Sequence, residues 1–533
     1  MSATARGLRP VGREAPRFRI SPRFRGRELT LLVVVAIGLM LGSLSLAATE
    51  RFKAAQLDGG TGGIGGLALA EPTQLFVYLA ALFAVHAALV LAGRRTDQIL
   101  LPAVGLLGGI GLLLMERLPQ TLAGNLGGLA QTQLVWLVIG LGIIVVLAVA
   151  VRNDVWLRRY KYTWAAAGVA LLLATFVFGH DVNGARLSLS IGPFSGQPSE
   201  LLKVILVVFL AGYLSENRPL LVDESTRIGP LRLPPLPYLA PMVAMWAIAL
   251  GIVIVQRDLG AALLFFAVFL LLMYVSTARV GYVVVGLLAF VVGAAALYFL
   301  FDHVRTRIDI WIDPFADSSG AGYQVVQALH AFARGGLIGT GLGGGLPSIA
   351  GRPPIPALHT DFPFADPSGA GYQVVQALHA FARGGLIGTG LGGGLPSIAG
   401  RPPIPALHTD FPFAALGEEL GLVGILAILG LYLVLVQRGL RIASAAQDEF
   451  RAILAAGLSL VIGVQAFIIA AGNLKLIPLT GITLPFVSYG GSSLLANAVI
   501  VGLLIALSER TRDPLPPPRR PSRLRRALDR GAA

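Results

Sequence analysis

Apolar runs of about 20 residues, each long enough to carry a helix across the hydrocarbon of a bilayer, recur along most of this chain. Twelve begin near Leu29, Gln74, Ile99, Gln133, Thr163, Leu201, Tyr238, Gly260, Val280, Leu416, Ala452 and Leu494. In hydrocarbon no water takes up peptide N–H and C=O groups, so each run must close its hydrogen bonds within itself as a helix. The fold class that follows is an all-α polytopic membrane protein with about 12 transmembrane helices. A mean hydropathy of +0.75 and a charged fraction of only 13% agree with it. The first run, Leu29 to Ala48, exceeds the apolar core of about 7–15 residues found in a cleaved signal and reads as a retained span.

Charge then sets orientation. The two ends of the chain carry eight arginines each, and an even number of spans places both on one side. With the tails inside, the inner loops add thirteen more cations, among them Arg94, Arg95, Arg158, Arg218, Arg438 and Arg451, so 29 of 42 Lys and Arg fall on the cytoplasmic face. That asymmetry is the expected one. The net charge of +14 is therefore a membrane-topology signal, and no nucleic-acid partner is expected. With no Cys, disulfides, thiolate zinc sites and cysteine nucleophiles are excluded, leaving carboxylates, His, Lys, Arg and hydroxyls for any chemistry.

The outer face receives "HDVNGARLSLSIGPFSGQPSE", the long segment from Asp302 to Ala415, and "NLKLIPLTGITLPFVSYGGSS". Within the long segment, Pro314 to Ala365 recurs as Pro363 to Ala414 at an offset of 49 residues, with Ser318 against Pro367 as the single mismatch. Repeat folds stack three or more diverged units. Two near-identical units inside one loop read instead as a recent in-frame duplication or an assembly error in the underlying sequence.

Several motifs carry chemistry. Glu200 and Lys203 lie three apart at a helix start, where they pair on one face; an interfacial anchor and a functional pair both fit. "QRDLGAALLFF" places Arg257 and Asp258 between spans, where an ion pair or the wall of a polar cavity would accommodate them. "GGLIGTGLGGG" has too many glycines for a stable helix and lacks the Gly-Lys-Ser/Thr ending of a phosphate loop. "HTDF" puts Asp410 eight residues before Glu418 and Glu419, where the chain re-enters the membrane. "GITLPFVSYGGSSLL" is a Pro- and Gly-interrupted entrance to the last span, of the kind tolerated where it lines a cavity or is buried in protein.

In order, "NGAR…QPSELLK", "QRDLGAA", "DPF…GYQVVQAL…GGLIGTGLGGG", "HTDF", "GEELGLVG" and "GITLPFVSYGGSSLL" resemble the SEDS family (shape, elongation, division and sporulation), the group of FtsW, RodA and SpoVE, over roughly Arg94 to Arg510. The resemblance implies a ten-helix core, to which this chain adds an N-terminal pair. It divides the chain into a basic cytoplasmic tail (1–28), the added two-helix segment (29–93), the first part of the core (94–301), an extracellular catalytic loop (302–415), the C-terminal core helices (416–508) and a disordered basic cytoplasmic tail (509–533). It implies polymerisation of lipid II into glycan strands at the outer face of the bacterial cytoplasmic membrane, beside a class B penicillin-binding protein. It assigns the catalytic carboxylate to Asp410 or its copy Asp361, and substrate contacts to Arg186, Glu200, Lys203, Asp258, His408, Thr409, Glu418, Ser488 and Gly490. The chain departs from the family pattern at Leu187 and Ser188, where a basic-aromatic pair is common, at Arg257 in place of Pro, and in lacking a Glu just before "HTDF".

The same chemistry follows from topology. Outside the membrane there is no nucleotide-sugar pool, so a glycosyl donor must be membrane-borne and activated by a lipid-linked diphosphate. A sugar hydroxyl needs a carboxylate within hydrogen-bond reach to take its proton as it attacks the anomeric carbon; Asp410 is the candidate. It is preferred to Asp361 because its short connection to Glu418 and Glu419 holds it against the re-entering helix. The diphosphate needs charge stabilisation, from Arg186, Lys203, Arg257 or a divalent cation such as Mg or Mn. One base without a carboxylate nucleophile implies inversion. A flippase or transporter of the same lipid-linked precursor would instead use Glu200, Lys203 and Asp258 to line a passage.

Overall fold

The computed structural model describes residues 22–57, 73–118, 128–151, 154–182, 185–191, 194–223, 226–228, 231–233, 243–244, 247–248, 251, 258–312, 385–388, 408–478 and 480–509. In chain order the helices are α1 (Gly26–Leu57), α2 (Thr73–Ala92), α3 (Leu100–Arg117), α4 (Leu129–Ala150), the short α5 (Val155–Arg159), α6 (Lys161–Phe178), α7 (Pro198–Asp223), α8 (Leu259–Thr277), α9 (Val280–Leu300), α10 (Asp302–Ile312), α11 (Pro412–Ala445), α12 (Glu449–Asn473) and α13 (Gly491–Leu507). Among the described residues ten are long and apolar enough to cross a membrane, and α13 adds a shorter apolar helix. Together they account for eleven of the twelve expected runs. Most of the run near Tyr238, most of the segment 302–415 and most of both tails lie outside the described residues.

To this all-α frame the loops add two small antiparallel sheets. One is a meander of β1 (His180–Val182), β2 (Ala185–Ile191) and β3 (Phe194–Gly196); the other is the hairpin of β4 (Thr226–Ile228) and β5 (Leu231–Leu233). The alternation Leu187-Ser188-Leu189-Ser190-Ile191 has the period of two that a strand requires.

Burial sorts the helices. Most of the apolar stretch of α7 and of α12 is buried, whereas that of α9 is exposed along its length. α12 packs along α11, α7 and α8, and α4 along α13. The N-terminal pair docks on α3 through small residues, which let helices approach closely in a membrane. A Cβ on Gly109 would fall 2.2 Å from Leu39, and the Tyr78 hydroxyl donates to the Gly105 carbonyl at 2.8 Å. At the end of these helices where α1 begins, a polar lock holds the pair. Glu28 is fully buried; the Arg25 guanidinium pairs with its Oε2, and His86 Nδ1 lies 2.6 Å from its Oε1. Arg25 also donates to Thr96 Oγ1 and to the Asp97 carbonyl, both at 2.7 Å.

The basic loops converge at this same end of the bundle. Arg94 pairs with Glu509 and donates to the Ala148 carbonyl, Arg438 holds Asp97, Arg451 grips Asp154 with contacts of 2.7 to 3.1 Å, and Arg218 pairs with Glu449. These contacts tie α2, α4, α7, α11, α12 and α13 together at this end.

Removing one partner of a buried ionic cluster costs about 3–5 kcal/mol because the others are left uncompensated. Glu28→Ala should therefore lower the thermal unfolding midpoint of the detergent-solubilised protein clearly, while Glu449→Ala, at an exposed pair, should change it little. Equal midpoints for Glu28→Ala and the parent would show that the lock does not hold the N-terminal pair.

Candidate active site

At the end of the bundle opposite the arginine network, the chain between α12 and α13 enters the protein without forming a helix. Residues 480–490 are non-helical and mostly buried within the helical bundle, which requires the surrounding helices to satisfy the backbone. They do. Gln465 of α12 donates to the Thr483 carbonyl at 2.7 Å, Tyr432 of α11 to the Pro485 carbonyl at 2.6 Å, and Gln133 of α4 to the Ser488 carbonyl at 3.3 Å. The Ser488 hydroxyl accepts from the Leu484 N–H at 2.7 Å. Phe486 is held at a φ of +65°, an unusual conformation for an aromatic residue, with its side chain buried. Gly111 of α3 permits the close passage, since a Cβ there would stand 2.7 Å from the Val487 carbonyl oxygen.

This segment supports the turn His408–Asp410. The Tyr489 N–H donates to the His408 carbonyl at 2.8 Å, and the His408 and Tyr489 rings lie 5.7 Å apart. Asn473, the last residue of α12, donates from Nδ2 to the Asp410 carbonyl at 3.1 Å. Phe411, fully buried, follows at once, and Pro412 opens α11 with the preset φ that favours proline in a first turn. Asp410 is thus fixed on both flanks while its side chain stays half-buried, with Oδ2 3.9 Å from where a Cβ on Gly481 would lie. Two turns into α11, Glu418 is buried beside Glu419, whose carboxylate faces the buried Arg117 guanidinium at the end of α3.

The described pieces of the duplicated loop all belong to its second copy: Gly385–Gly388 and the residues from His408 onward. α11 is kinked at Gly421, where φ is +66°, and at the kink the Leu422 and Val423 N–H groups donate to the carbonyls of Gly385 and Leu386 at 2.8 and 3.1 Å. Gly388, at φ +88°, meets the kink backbone to backbone; a Cβ on it would lie 2.0 Å from the Glu419 carbonyl oxygen. Asp361 lies outside the described residues.

Beneath Asp410 is an interior polar network. Lys203 Nζ donates to Glu200 Oε2 at 2.6 Å, to Gln465 Oε1 at 2.8 Å and to Asn497 Oδ1 at 3.2 Å. Thr483 joins it, donating to Ser493 Oγ at 2.6 Å and lying 3.3 Å from Glu200 Oε1. Asp258 caps α8, accepting from the Ala261 N–H at 3.0 Å, and its Oδ2 lies 3.3 Å from Ser199 Oγ. A cavity of about 20 Å³, room for about one water, is lined by Gln197, Glu200, Lys203, Asp258 and Gly481 among others.

The structure thus brings Asp410, Glu200, Lys203, Asp258, Ser488 and His408 together around residues 481–489, with Thr409 in the same turn as Asp410 and Gly490 at the start of α13. Ser488 is a backbone support, and Lys203 is committed to interior partners. Arg186 sits on β2 in register with Asp181, and Arg257 lies outside the described residues. The residues do not fit a divalent cation here: the Lys203 ammonium occupies Glu200, and Asp258 is engaged in its cap. Among the described residues no group of three His, Asp or Glu is placed to hold a metal. The supports Gln133, Gln465, Asn473 and Asn497 did leave a trace in the sequence, as amides interrupting apolar runs; Tyr432 left none.

The sequence model of the family described as "Cell cycle protein", FtsW/RodA/SpoVE, matches residues 97–365 and 363–513, the two matches meeting inside the duplicated loop. The peptidoglycan glycosyltransferase RodA of Mycobacterium tuberculosis (strain ATCC 25618 / H37Rv) is 35% identical over 504 residues, 93% of this chain and 92% of its own. That coverage leaves too few residues to omit both helices of the N-terminal pair. The probable peptidoglycan glycosyltransferase FtsW of Nitrosococcus halophilus (strain Nc4) is 31% identical over 433 residues, 79% of this chain and 94% of its own. A chain from a solved peptidoglycan synthase complex superposes with a TM-score of 0.56 at 25% identity, covering 78% of this chain and 98% of that one.

Two outcomes follow from the geometry. Gly388→Ala should displace the loop from the α11 kink, seen as faster proteolysis of the outer loop, whereas Gly339→Ala, the same change in the first copy, should leave cleavage at the parent rate; the reverse pattern would place the first copy on α11. Burial holds the His408 imidazole below its ordinary pKa, so the folded state favours the neutral ring. Its contribution to stability is full above the unfolded value of about 6.5 and is lost as pH falls from there toward the lower folded value. His408→Gln should flatten the acid limb of a stability-against-pH profile, and an unchanged limb would show that His408 does not contribute to it.

Proposed function

The chain belongs to the FtsW/RodA/SpoVE family, and from that premise we propose that it is a peptidoglycan glycosyltransferase that polymerises lipid II into glycan strands with Asp410 as general base. The observation that carries this reading is the fixing of Asp410. Tyr489 and Asn473 hold its turn through backbone carbonyls, and Pro412 joins the turn to α11, while the carboxylate itself remains half-buried at the outer end of the bundle.

In the step proposed, Asp410 takes the proton of the acceptor sugar hydroxyl as its oxygen bonds to the anomeric carbon of the donor. The bond from that carbon to the lipid diphosphate breaks, and undecaprenyl diphosphate leaves with the electron pair. Attack opposite the leaving group inverts the anomeric centre, turning an alpha-linked donor into a beta-linked product. Arg186, on the meander beside α7, and Arg257 are the cations proposed for the diphosphate. His408 contributes a buried Nδ1 that has no hydrogen-bond partner among the described residues, a position suited to a substrate hydroxyl. Glu200, Lys203 and Asp258 form the floor that holds residues 481–489 beneath the reacting groups.

The arginine-rich end is proposed as the cytoplasmic one, with both termini there and the reaction at the outer face. A class B penicillin-binding protein is the proposed partner, in keeping with the synthase complex to which the fold is similar. Little supports a transport passage, because the interior charges are mutually paired around a space the size of one water.

Loss of a general base costs roughly 10²- to 10⁴-fold in rate. Asp410→Asn should lower lipid II polymerisation by the purified protein with its partner to that extent, while Asp361→Asn and a 49-residue deletion restoring a single loop should retain it. Polymerisation by Asp410→Asn at the parental rate would remove the base assignment. Translocation of fluorescent lipid II across vesicles without polymerisation would favour the flippase instead.

A further inference from the structure

The arginine-rich end of the bundle carries a cavity that the reaction does not use. Its volume is about 1400 Å³, and it lies between the start of α1, the α2–α3 linker, the end of α11 and the end of α13. Five arginines line it, Arg27, Arg95, Arg438, Arg441 and Arg451, against three acids, Asp97, Asp448 and Glu509. Each acid is already engaged: Asp97 by Arg438, Asp448 by Arg158 at 3.8 Å, and Glu509 by Arg94. Two of those engaging cations, Arg94 and Arg158, stand outside the lining, as do the acids Asp154, which pairs with Arg451, and Glu216, which shares Arg158, so the excess of positive charge in the lining is kept. Arg27 and Arg441 are exposed and reach it from opposite walls, α1 and α11.

Three observations narrow what fits. The occupant is anionic, by charge complementarity. It has an apolar part, because Ile99, Ile442 and Leu507 share the lining with the arginines. It is not a tail of this chain, since residues 1–28 and 509–533 each carry eight arginines and repel the same field. Helix ends at this level of a membrane protein stand among lipid headgroups, and basic pockets between transmembrane helices take phosphate headgroups.

We propose that this cavity binds an anionic glycerophospholipid, its phosphate between Arg27 and Arg441 and its acyl chain against Ile442 and Leu507. The site stands apart from Asp410 and does not depend on the glycosyltransferase reading. Its effect is to tie α1, and with it the N-terminal pair, to α11, the helix that begins at the catalytic turn.

The test is native mass spectrometry of the full-length protein titrated with phosphatidylglycerol, with phosphatidylethanolamine and soluble glycerol phosphate as separate arms. A basic residue near the membrane surface contributes about fivefold in affinity for anionic lipid, so Arg27→Gln with Arg441→Gln should weaken phosphatidylglycerol binding by about 30-fold. The matched double Arg159→Gln with Arg218→Gln, which removes the same charge from the same end outside the cavity, should leave binding unchanged, and Arg27→Lys with Arg441→Lys should keep most of it. Equal losses in the two Gln doubles would reduce the effect to bulk charge and overturn the site. Binding of phosphatidylethanolamine as tight as phosphatidylglycerol would overturn the anionic assignment, and glycerol phosphate binding as tight as lipid would make the ligand a soluble phosphate.

Discussion

The hydrogen bonds that three side chains donate to one unwound stretch of backbone underlie the arrangement at the Asp410 end of this protein. A carbonyl left unmet away from water costs several kcal/mol, so residues 480–490 can lie within the helical bundle only because Gln465, Tyr432 and Gln133 reach their carbonyls. Those donors belong to α12, α11 and α4, which are far apart in sequence. The unwound conformation is therefore a consequence of helix assembly, not a local preference. From it the Tyr489 N–H projects to the His408 carbonyl, so the position of Asp410 is set two steps away, by amides inside the bundle.

The duplicated loop shows how a fold of this kind absorbs an insertion. Doubling the length of a connection costs only about 0.6 kcal/mol in closure entropy, no more than about one of the several hydrogen bonds that anchor its end. The copy that occupies the site is decided by attachment. The second copy runs directly into Pro412 and α11, so its His408–Asp410 turn is delivered to Tyr489 and Asn473 by the helix itself. Its Gly385–Gly388 segment then closes on the Gly421 kink, where two glycines allow backbone to meet backbone. A first-copy Asp361 seated at the same place would have to compete with a covalently delivered rival.

The helices were legible because hydrocarbon imposes one solution on a 20-residue apolar run. The strand in Ala185–Ile191 was not anticipated, although its alternation of Leu and Ser has a strand's period. What the sequence concealed was pairing. Glu200 and Lys203 announced themselves as a spaced pair, but nothing local said that Gln465 and Asn497, some 260 and 290 residues on, would complete the shell around the ammonium. Arg117 reads as a boundary cation after an apolar run and proves to be the buried partner of Glu419. Ser488 sits in a motif that invites a substrate role, and its hydroxyl is engaged with the backbone of its own turn. Motif spacing reports which residues are near in sequence, while tertiary packing decides which are spent on support.

That division sharpens the chemistry. In the proposed reaction a lipid diphosphate brings negative charge to the Asp410 end of the bundle, and a cation that stabilises its departure must have charge to offer as the bond breaks. Lys203 offers little, because Glu200 neutralises it within 2.6 Å and two amide oxygens complete its shell. Taking it out of that network would strand Glu200 in the interior and loosen Thr483, and with it the unwound segment. Arg117 is in the same position with Glu419. On the proposed reading the leaving-group charge falls instead to Arg186, on the meander, and to Arg257, which precedes α8 in sequence. The proposed base is then held by the interior, while the diphosphate would be met from the loops. Proton transfer demands a heavy-atom distance held within a few tenths of an ångström, whereas a charge acts over several, so the rigid part of the protein and its loops each carry the task their geometry suits.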